Sequence, residues 1–282
     1  MIENVCVAGG GTMGRGIALA AAQAGFKTIL FDINEVMLEA ARSQISAILD
    51  SQESKQKITA QEKQLIHSSF LFTSDIEACK AGLIIEAIIE KLEVKEDLLQ
   101  KLAEINDPHT ILASNTSSLS ISSIQKNITN PRRVAGMHFF NPANLMKLVE
   151  VVKGDATSDE VVNKIMDVCR QMGKTPVLCL DAPGFIVNRV ARPYYLEAMK
   201  LVEENKASIE DIDSAMEACG FKMGPFKLMD LIGLDINLAV SNSVYEAMKK
   251  KPRFTPSIIQ QQKVADGDLG RKTGKGFYIY NK

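Results

Sequence analysis

The N-terminal part of the chain alternates short apolar runs with one segment of helical periodicity. Residues 5–8 (VCVA) and 28–31 (TILF) are short and largely apolar, which is typical of buried strands. Between them, residues 13–24 place their apolar side chains at the spacing of a helix. These segments predict a strand–helix–strand unit at the start of the fold.

The same alternation resumes further along and indicates the fold class. Residues 35–71 are polar, with apolar positions at helical spacing, so helices that project from the sheet are expected there. Further strands are predicted at residues 83–87, 111–114, 134–138 and 148–152. Because helical stretches separate these nearly continuous apolar runs, the pattern indicates an α/β fold with a doubly wound, mainly parallel sheet covered on both faces.

A break in the pattern divides the chain into two predicted domains. The apolar run 177–180 is followed by DAPGF, a Pro/Gly interruption, and beyond it long amphipathic helical patterns dominate. A chain of 282 residues also suits two domains of roughly 100–200 residues each. We therefore predict an α/β domain at residues 1–183 and a smaller all-α domain at residues 184–282.

Composition and charge restrict the kind of partner. The formal net charge is −1 and the basic residues are spread along the chain, so nothing supplies the positive field that nucleic acids or anionic membranes require. The five cysteines show neither C-x-x-C nor Cys/His ligand spacing, which argues against a disulfide framework and a zinc site. We expect a small-molecule ligand, no metal, and a reducing, cytoplasmic setting.

No targeting or membrane segment is predicted. The N-terminus has no basic segment followed by a long apolar stretch, and no later segment offers about 18 uninterrupted apolar residues. We read the chain as a mature cytoplasmic protein.

A glycine-rich turn lies between the first predicted strand and helix. It reads GGGTMG and fits G-x-G-x-x-G with the residues Gly9, Gly10, Gly11, Thr12, Met13 and Gly14. Glycines permit a tight turn and a close approach of a pyrophosphate, which the free N–H groups of the helix N-terminus then bind. In this context the motif predicts a Rossmann-like dinucleotide-binding unit.

Asp32, directly after the second predicted strand, selects the nucleotide. A carboxylate there accepts hydrogen bonds from both adenosine ribose hydroxyls and repels a 2′-phosphate. The next residues, Ile33 and Asn34, offer no compensating cation. We expect NAD rather than NADP as the cofactor; the alternative is a glycine turn followed by a solvent-facing aspartate.

His138 is the candidate acid/base. It ends the predicted strand VAGMH, and the carboxyl ends of strands in such sheets face the ligand crevice. Histidine titrates near neutrality and can take the proton that leaves a hydroxyl during oxidation. The alternative is a structural histidine with satisfied partners. His67 and His109 lie in polar segments and are interpreted as surface residues.

Glu150 interrupts the apolar strand LVEVV and needs either water or a polar partner. As a partner of His138 it would fix the tautomer of the ring and stabilise its protonated form. A solvent-facing position on an exposed strand is the alternative.

A second polar cluster, ASNTSSL at residues 113–119, follows the strand 111–114. Its side chains could reach a substrate oxygen or the nicotinamide ribose, whereas helix capping explains only one or two of them. Asn188, in PGFIVNR beyond the domain break, is either an inward-facing donor or an ordinary helix residue.

Motifs along the whole chain carry a resemblance to a known family. The chain resembles the short-chain L-3-hydroxyacyl-CoA dehydrogenases, and is most like bacterial 3-hydroxybutyryl-CoA dehydrogenases. The resemblance is carried, in family order, by VAGGGTMGRGIA, ASNTSSLSI, GMHFFNPANLMKLVEVV, APGFIVNR, MGPFKLMDLIGLD and GRKTGKGFYIY. It implies an NAD cofactor, an acyl-CoA substrate, a role in fatty-acid or butanoate metabolism, and a homodimer formed through the helical domain.

The resemblance also assigns roles to single residues. It makes His138 the acid/base with Glu150 as its partner, and lets Ser117 and Asn188 hydrogen-bond the reacting oxygen or the acyl group. It further implies that the nucleotide is contacted by Glu90, Lys95, Asn115 or Ser117, Asn141 and Lys272.

One segment departs from the family pattern. The helix after Asp32 is usually rich in lysines that help to bind coenzyme A, but here it reads ILDSQESKQKI. Lys55 occupies the best-aligned position and is the candidate coenzyme A contact.

From the residues alone, the sequence predicts a hydroxyl dehydrogenase with a histidine base. The acyl-CoA substrate and its stereochemistry rest on the resemblance. One alternative is a dehydrogenase of another β-hydroxy acid, although such enzymes use a lysine where PGFIVNR offers Asn188. The other is a dinucleotide-binding relative that has lost activity, as in lens crystallins.

Overall fold

The computed structural model describes residues 2–280, which form two compact units with the boundary between Asp181 and Ala182. The first unit contains the sheet and the second consists mainly of helices. This arrangement confirms the predicted fold class, an α/β sheet followed by a smaller helical part.

The first unit alternates strands and helices along the chain. Its strands are β1 Asn4–Ala8, β2 Lys27–Phe31, β3 Phe70–Thr73, β4 Leu83–Glu86, β5 Ile111–Ser114, β6 Val134–Phe139, β7 Leu148–Lys153 and β8 Thr175–Leu180. Its α-helices are α1 Thr12–Gln23, α2 Glu35–Ser54, α3 Ala60–Ser68, α4 Leu92–Ile105, α5 Ile121–Gln125 and α6 Asp159–Gln171.

The strands form one sheet in the order β3-β2-β1-β4-β5-β6-β7-β8. Neighbouring strands are parallel throughout, except that β7 runs antiparallel to β6. Strands β4 and β5 are buried along their whole length, as expected for strands covered by helices on both faces. From β1 the chain builds the sheet outward through β2 and β3 on one side, and then continues with β4 and β5 on the other side. The carboxyl ends of the neighbouring strands β1 and β4 therefore flank a crevice, which is where ligands bind in open sheets of this kind.

The segment 35–71, predicted to be helical and to project from the sheet, forms α2 and α3 and then enters a strand. Helix α2 buries Leu38, Ala41, Ile45 and Leu49 in the core of the unit. That strand, β3, was not predicted, and it pairs with β2 at the edge of the sheet. Four residues, FLFT, are too few to show the alternation by which a strand is recognised.

The second unit is a cluster of helices with its own apolar core. Its α-helices are α7 Val187–Glu203, α8 Ile209–Ala218, α9 Pro225–Ile232, α10 Leu234–Ala247 and α11 Ile258–Ala265. Aromatic and aliphatic side chains from α7, α9 and α10 form the core, among them Tyr195, Met199, Phe226, Met229 and Leu234. Within residues 2–280, none of the helices has both the length and the apolar character needed to cross a membrane.

Two buried carboxylates attach the C-terminal segment to these helices. Asp213 accepts hydrogen bonds from the N–H groups of Phe226 (2.9 Å) and Lys227 (3.0 Å), and so caps α9. Asp230 accepts hydrogen bonds from the N–H of Phe277 (2.9 Å) and from the Tyr280 hydroxyl (3.0 Å). Residues 277–280 are therefore held by hydrogen bonds to a buried carboxylate.

The partly buried phenol of Tyr280 predicts a loss of stability at alkaline pH. Burial, together with the hydrogen bond to Asp230, raises the pKa of Tyr280 to about 12. The folded protein keeps this proton where the unfolded chain, with a tyrosine pKa of about 10, releases it. The contribution is complete below about pH 10 and is lost as the pH rises towards 12.

Urea unfolding of the wild type and of Tyr280→Phe, each at about pH 8 and about pH 11, measures this contribution. We expect the free energy of unfolding to fall further between the two pH values for the wild type than for the variant. Equal decreases would show that Tyr280 does not titrate differently in the two states.

Candidate functional site

The glycine turn between β1 and α1 has the geometry of a phosphate cradle. Gly9 has φ +118°, and a Cβ there would lie 2.6 Å from the carbonyl oxygen of Ala87. A Cβ at Gly14 would lie 1.8 Å from the carbonyl oxygen of Gly9, so neither position accepts a side chain. Gly11, by contrast, faces open space within the described structure, and no side chain caps the first turn of α1. An anion fits this open helix N-terminus.

Asp32 lies beside the same turn. Its Oδ2 accepts a hydrogen bond from the N–H of Gly10 (2.7 Å), and its Oδ1 accepts one from Asn34 (2.9 Å). The carboxylate is partly exposed, and the following Ile33 is 84% exposed. The turn and the carboxylate together fit the pyrophosphate and adenosine ribose of a dinucleotide without a 2′-phosphate.

His138 and Glu150 face each other across the antiparallel pair of strands. The register of β6 and β7 places the two residues directly opposite, and His138 Nδ1 lies 2.7 Å from Glu150 Oε2. Glu150 is only 1% exposed and His138 is 6% exposed, with the ring of Phe140 against the imidazole. The buried carboxylate accepts a hydrogen bond from Nδ1–H, which leaves Nε2 as the ring nitrogen that can take up a proton.

A buried ion pair lies at the carboxyl end of β4. Lys95 Nζ is 2.7 Å from Glu86 Oε1 and 3.2 Å from Glu90 Oε2, and the Lys95 side chain is 1% exposed. The other oxygen of Glu86 accepts a hydrogen bond from the Ser114 hydroxyl at 2.6 Å. The structure thus encloses Lys95 among protein groups, with Glu90 the more exposed of its two carboxylate partners.

Glu90 organises the loop that carries Ser117. Its Oε1 accepts hydrogen bonds from the Thr116 hydroxyl, from the Ser117 N–H (3.0 Å) and from the Ser118 hydroxyl (3.1 Å). Partial burial alone would raise the pKa of Glu90, but the charge of Lys95 and these hydrogen bonds outweigh it and hold the pKa below its usual value. Glu90 is therefore a carboxylate at neutral pH.

Asn115 ties that loop to the strand of the candidate base. Its Oδ1 accepts a hydrogen bond from the N–H of Phe139 (2.9 Å), the residue after His138. The carboxyl ends of β4, β5 and β6 thus place Glu90, Ser117 and His138 along one edge of the sheet.

The remaining candidates lie elsewhere in the chain. Asn141 is in the connection between β6 and β7, and Lys55 is exposed at the end of α2. Asn188 is in the first turn of α7, and Lys272 lies in the second unit, where its ammonium is 2.6 Å from Asp235. No group of three or more His, Cys, Asp or Glu side chains in the described residues could hold a metal ion.

Sequence reasoning missed two residues of this site. Glu86 lies in the run LIIEA, which the sequence predicts simply as an apolar strand. A carboxylate in such a run needs a polar partner as much as Glu150 does, and this was the available signal. The hydroxyl of Thr116 is buried and bonded to Glu90, whereas the sequence showed only a polar cluster.

The glycine cradle, the carboxylate after β2 and the buried histidine–glutamate pair define the first unit as the dinucleotide-binding domain of a dehydrogenase. Comparison with protein families gives the particular group. Residues 4–182 match the model of the 3-hydroxyacyl-CoA dehydrogenase NAD-binding domain, and residues 184–280 match that of the 3-hydroxyacyl-CoA dehydrogenase C-terminal domain. The chain therefore belongs to the 3-hydroxyacyl-CoA dehydrogenase family, and its cofactor is NAD.

Individual relatives agree with this assignment. The chain is 49% identical over 279 residues to the 3-hydroxyadipyl-CoA dehydrogenase of Escherichia coli K12, covering 98% of this chain but only 59% of that protein. It is 41% identical to a probable 3-hydroxybutyryl-CoA dehydrogenase of Bacillus subtilis, covering 100% and 98% of the two chains. The crystal structure of (S)-3-hydroxybutyryl-CoA dehydrogenase from Ralstonia eutropha superposes with a TM-score of 0.95 at 36% identity, covering 100% of both chains. The predicted family resemblance is confirmed.

Proposed function

We propose that this chain catalyses the reversible NAD-dependent oxidation of an (S)-3-hydroxyacyl-CoA, of short chain such as 3-hydroxybutanoyl-CoA, to the 3-oxoacyl-CoA. The observation that carries the proposal is the buried pair of His138 and Glu150, 2.7 Å apart, at the ligand edge of a sheet that also carries the glycine turn. The substrate class is supported by the names of the relatives that match this chain over nearly the whole length of both proteins.

In this mechanism the glycine turn and Asp32 would hold NAD, which would supply the acceptor for the hydride from carbon 3 of the substrate. His138 Nε2 takes the hydroxyl proton during oxidation and returns it during reduction. Glu150, buried against Nδ1, stabilises the imidazolium that forms and keeps the ring in place.

Further residues have supporting roles in the same proposal. Ser117 and Asn188 hydrogen-bond the reacting oxygen or the acyl group, and Lys55 contacts coenzyme A. Glu90, Lys95 and Lys272 contact the nucleotide, and Asn115 or Ser117, together with Asn141, lies near the nicotinamide. The geometry supports a more specific role for Lys95, since its enclosure by Glu86 and Glu90 lets it act through Glu90.

Oxidation of NADH by acetoacetyl-CoA tests the reaction directly. We expect turnover with this substrate, and a comparison across 3-oxoacyl-CoA chain lengths, including one with a terminal carboxylate, identifies the preferred acyl group. A chain that binds NADH tightly but turns over none of these substrates would instead be a dinucleotide-binding relative without activity.

Asp32 predicts a preference for NADH over NADPH. A hydrogen bond to a charged group contributes about 1.5–3 kcal/mol, so Asp32→Asn should lower kcat/KM for NADH by about 10- to 100-fold. Because the variant also removes the charge that repels a 2′-phosphate, the preference for NADH over NADPH should narrow. Steady-state kinetics with both cofactors measure this, and Ile33→Ala, at the exposed neighbouring position, is the control. An unchanged ratio of the two cofactors would contradict the assigned contact.

We further propose a cytoplasmic homodimer formed through the helical unit. Its helices α9 and α10 leave Leu231, Ile232 and Ile236 exposed, which supports association through an apolar surface. Cys6, Cys79, Cys169, Cys179 and Cys219 are all free thiols, as suits a reducing compartment. Size-exclusion chromatography with light scattering gives the mass in solution, and a monomer would refute the dimer.

A further inference from the structure

Lys174 is a buried lysine whose partners are carbonyl oxygens. It lies in the turn between α6 and β8 and is 7% exposed. Its ammonium donates hydrogen bonds to the carbonyl oxygens of Ala143 (2.6 Å) and Met146 (2.9 Å). Both acceptors belong to the β6–β7 connection, residues 140–147, which is called the 140–147 loop below.

The ammonium completes the hydrogen bonding of this loop. The N–H groups of Leu145 and Met146 both bond to the carbonyl oxygen of Pro142, forming a single turn. The later carbonyl groups of such a turn have no N–H partner within the turn itself. Two of them, those of Ala143 and Met146, accept hydrogen bonds from Lys174. Burial lowers the pKa of Lys174, as does the nearby charge of Lys147, so the position is costly for a cation. An apolar side chain of the same length would avoid that cost but could not hold the loop.

The loop held by Lys174 also packs against the helix that begins at the glycine turn. A Cβ at Gly16 of α1 would lie 3.2 Å from the Cβ of Ala143, so this glycine lets the loop lie directly on the helix. Ala143 is buried at this contact, and Asn141 is two residues before it. Lys174 therefore bonds to the loop that carries Asn141 at the point where that loop packs on α1.

We propose that Lys174 is a positioning residue for the nicotinamide end of the cofactor. Its ammonium holds the 140–147 loop against α1, so that Asn141 is presented to the nicotinamide and its ribose. The inference rests on the role of Asn141 in the proposed function. It adds a residue that acts through Asn141 and touches neither cofactor nor substrate.

Binding of two ligands separates this role from a general effect on the fold. ADP-ribose carries the groups assigned to the glycine turn and Asp32 but has no nicotinamide. We expect Lys174→Met to weaken NADH binding by about tenfold, the loss of roughly one hydrogen bond's contribution, and to leave ADP-ribose binding unchanged. Lys147→Met is the matched control, because Lys147 is an exposed lysine of the same loop whose ammonium donates to the Gly173 carbonyl (3.2 Å) and not to the loop itself among the described contacts. It should bind both ligands as the wild type does.

A double variant tests whether Lys174 acts through Asn141. If it does, Lys174→Met combined with Asn141→Ala should bind NADH no more weakly than Asn141→Ala alone. Lys174→Arg can still donate to both carbonyls and should recover most of the NADH affinity. If Lys174→Met does not fold, the arginine variant is compared with the wild type in its place. Equal weakening of both ligands, unchanged NADH binding or additive losses would each overturn the proposal. Because binding is measured without substrate, the two tests are independent. A wild type without turnover would refute the proposed function, whereas the NADH and ADP-ribose affinities of the Lys174 variants could still be compared.

Discussion

Replacing His138 with glutamine is expected to lower kcat for the reduction of acetoacetyl-CoA by NADH by about 10²–10⁴-fold, the usual contribution of a general acid/base. Glutamine preserves much of the size and hydrogen-bonding capacity of a neutral imidazole, but it cannot take up or release a proton near neutral pH. The glycine turn and Asp32 are untouched, so the dissociation constant for NADH should remain close to that of the wild type. Steady-state kinetics and NADH fluorescence titration measure the two quantities.

His109→Gln is the matched control for this experiment. His109 is exposed in a turn after α4, where its N–H bonds to Asp107, and it should tolerate the same substitution with unchanged kcat. Unfolding by urea shows whether the His138 variant is intact, since its partner Glu150 is buried. A folded His138→Gln variant with wild-type turnover would remove His138 from the mechanism.

The dinucleotide cradle could be predicted from the sequence because its chemistry is local. A strand, a glycine turn and a helix are consecutive in the chain, and Gly14 is required by a contact inside that unit, with the carbonyl oxygen of Gly9. Asp32 follows from the next strand in the same way. The prediction needed no knowledge of the rest of the fold.

The pairing of His138 with Glu150 could be proposed from the sequence, but the order and direction of the strands were needed to establish it. The run LVEVV has the same appearance whether β7 is parallel or antiparallel to β6. Only the antiparallel register places the two residues directly opposite each other, and the burial of the carboxylate follows from that register. A solvent-facing Glu150 was a reasonable alternative for the sequence by itself.

The environments of the buried lysines could not be predicted at all. Lysine is rarely buried, so Lys174 in a Gly-Lys turn and Lys95 on a polar helix both look like surface residues in the sequence. Their partners come from other segments: the carbonyls of Ala143 and Met146 for Lys174, and Glu86 for Lys95. Tertiary packing decides these sites, and a local pattern carries no information about it.

The buried pair of Lys95 and Glu86 predicts the largest effect on stability. Lys95→Met fills similar space but removes the cation. Among the described residues, the fully buried Glu86 carboxylate then keeps the Ser114 hydroxyl and the Ile88 N–H as hydrogen-bond donors. Loss of one partner from a buried ion pair costs about 3–5 kcal/mol, because the remaining charge stays in a medium of low polarity. We expect the free energy of unfolding, measured with urea at neutral pH, to fall by about that amount.

Two further variants identify the uncompensated charge as the cause. Lys91→Met, at an exposed lysine just before α4, should change the free energy of unfolding by no more than about 0.5 kcal/mol. Adding Glu86→Gln to Lys95→Met should restore part of the lost stability, since the neutral amide can still accept from Ser114 and carries no charge to bury. If the double variant is less stable than Lys95→Met alone, the loss comes from packing of the lysine side chain. In that case the ion pair is not what holds Glu90 and the Ser117 loop at the edge of the sheet.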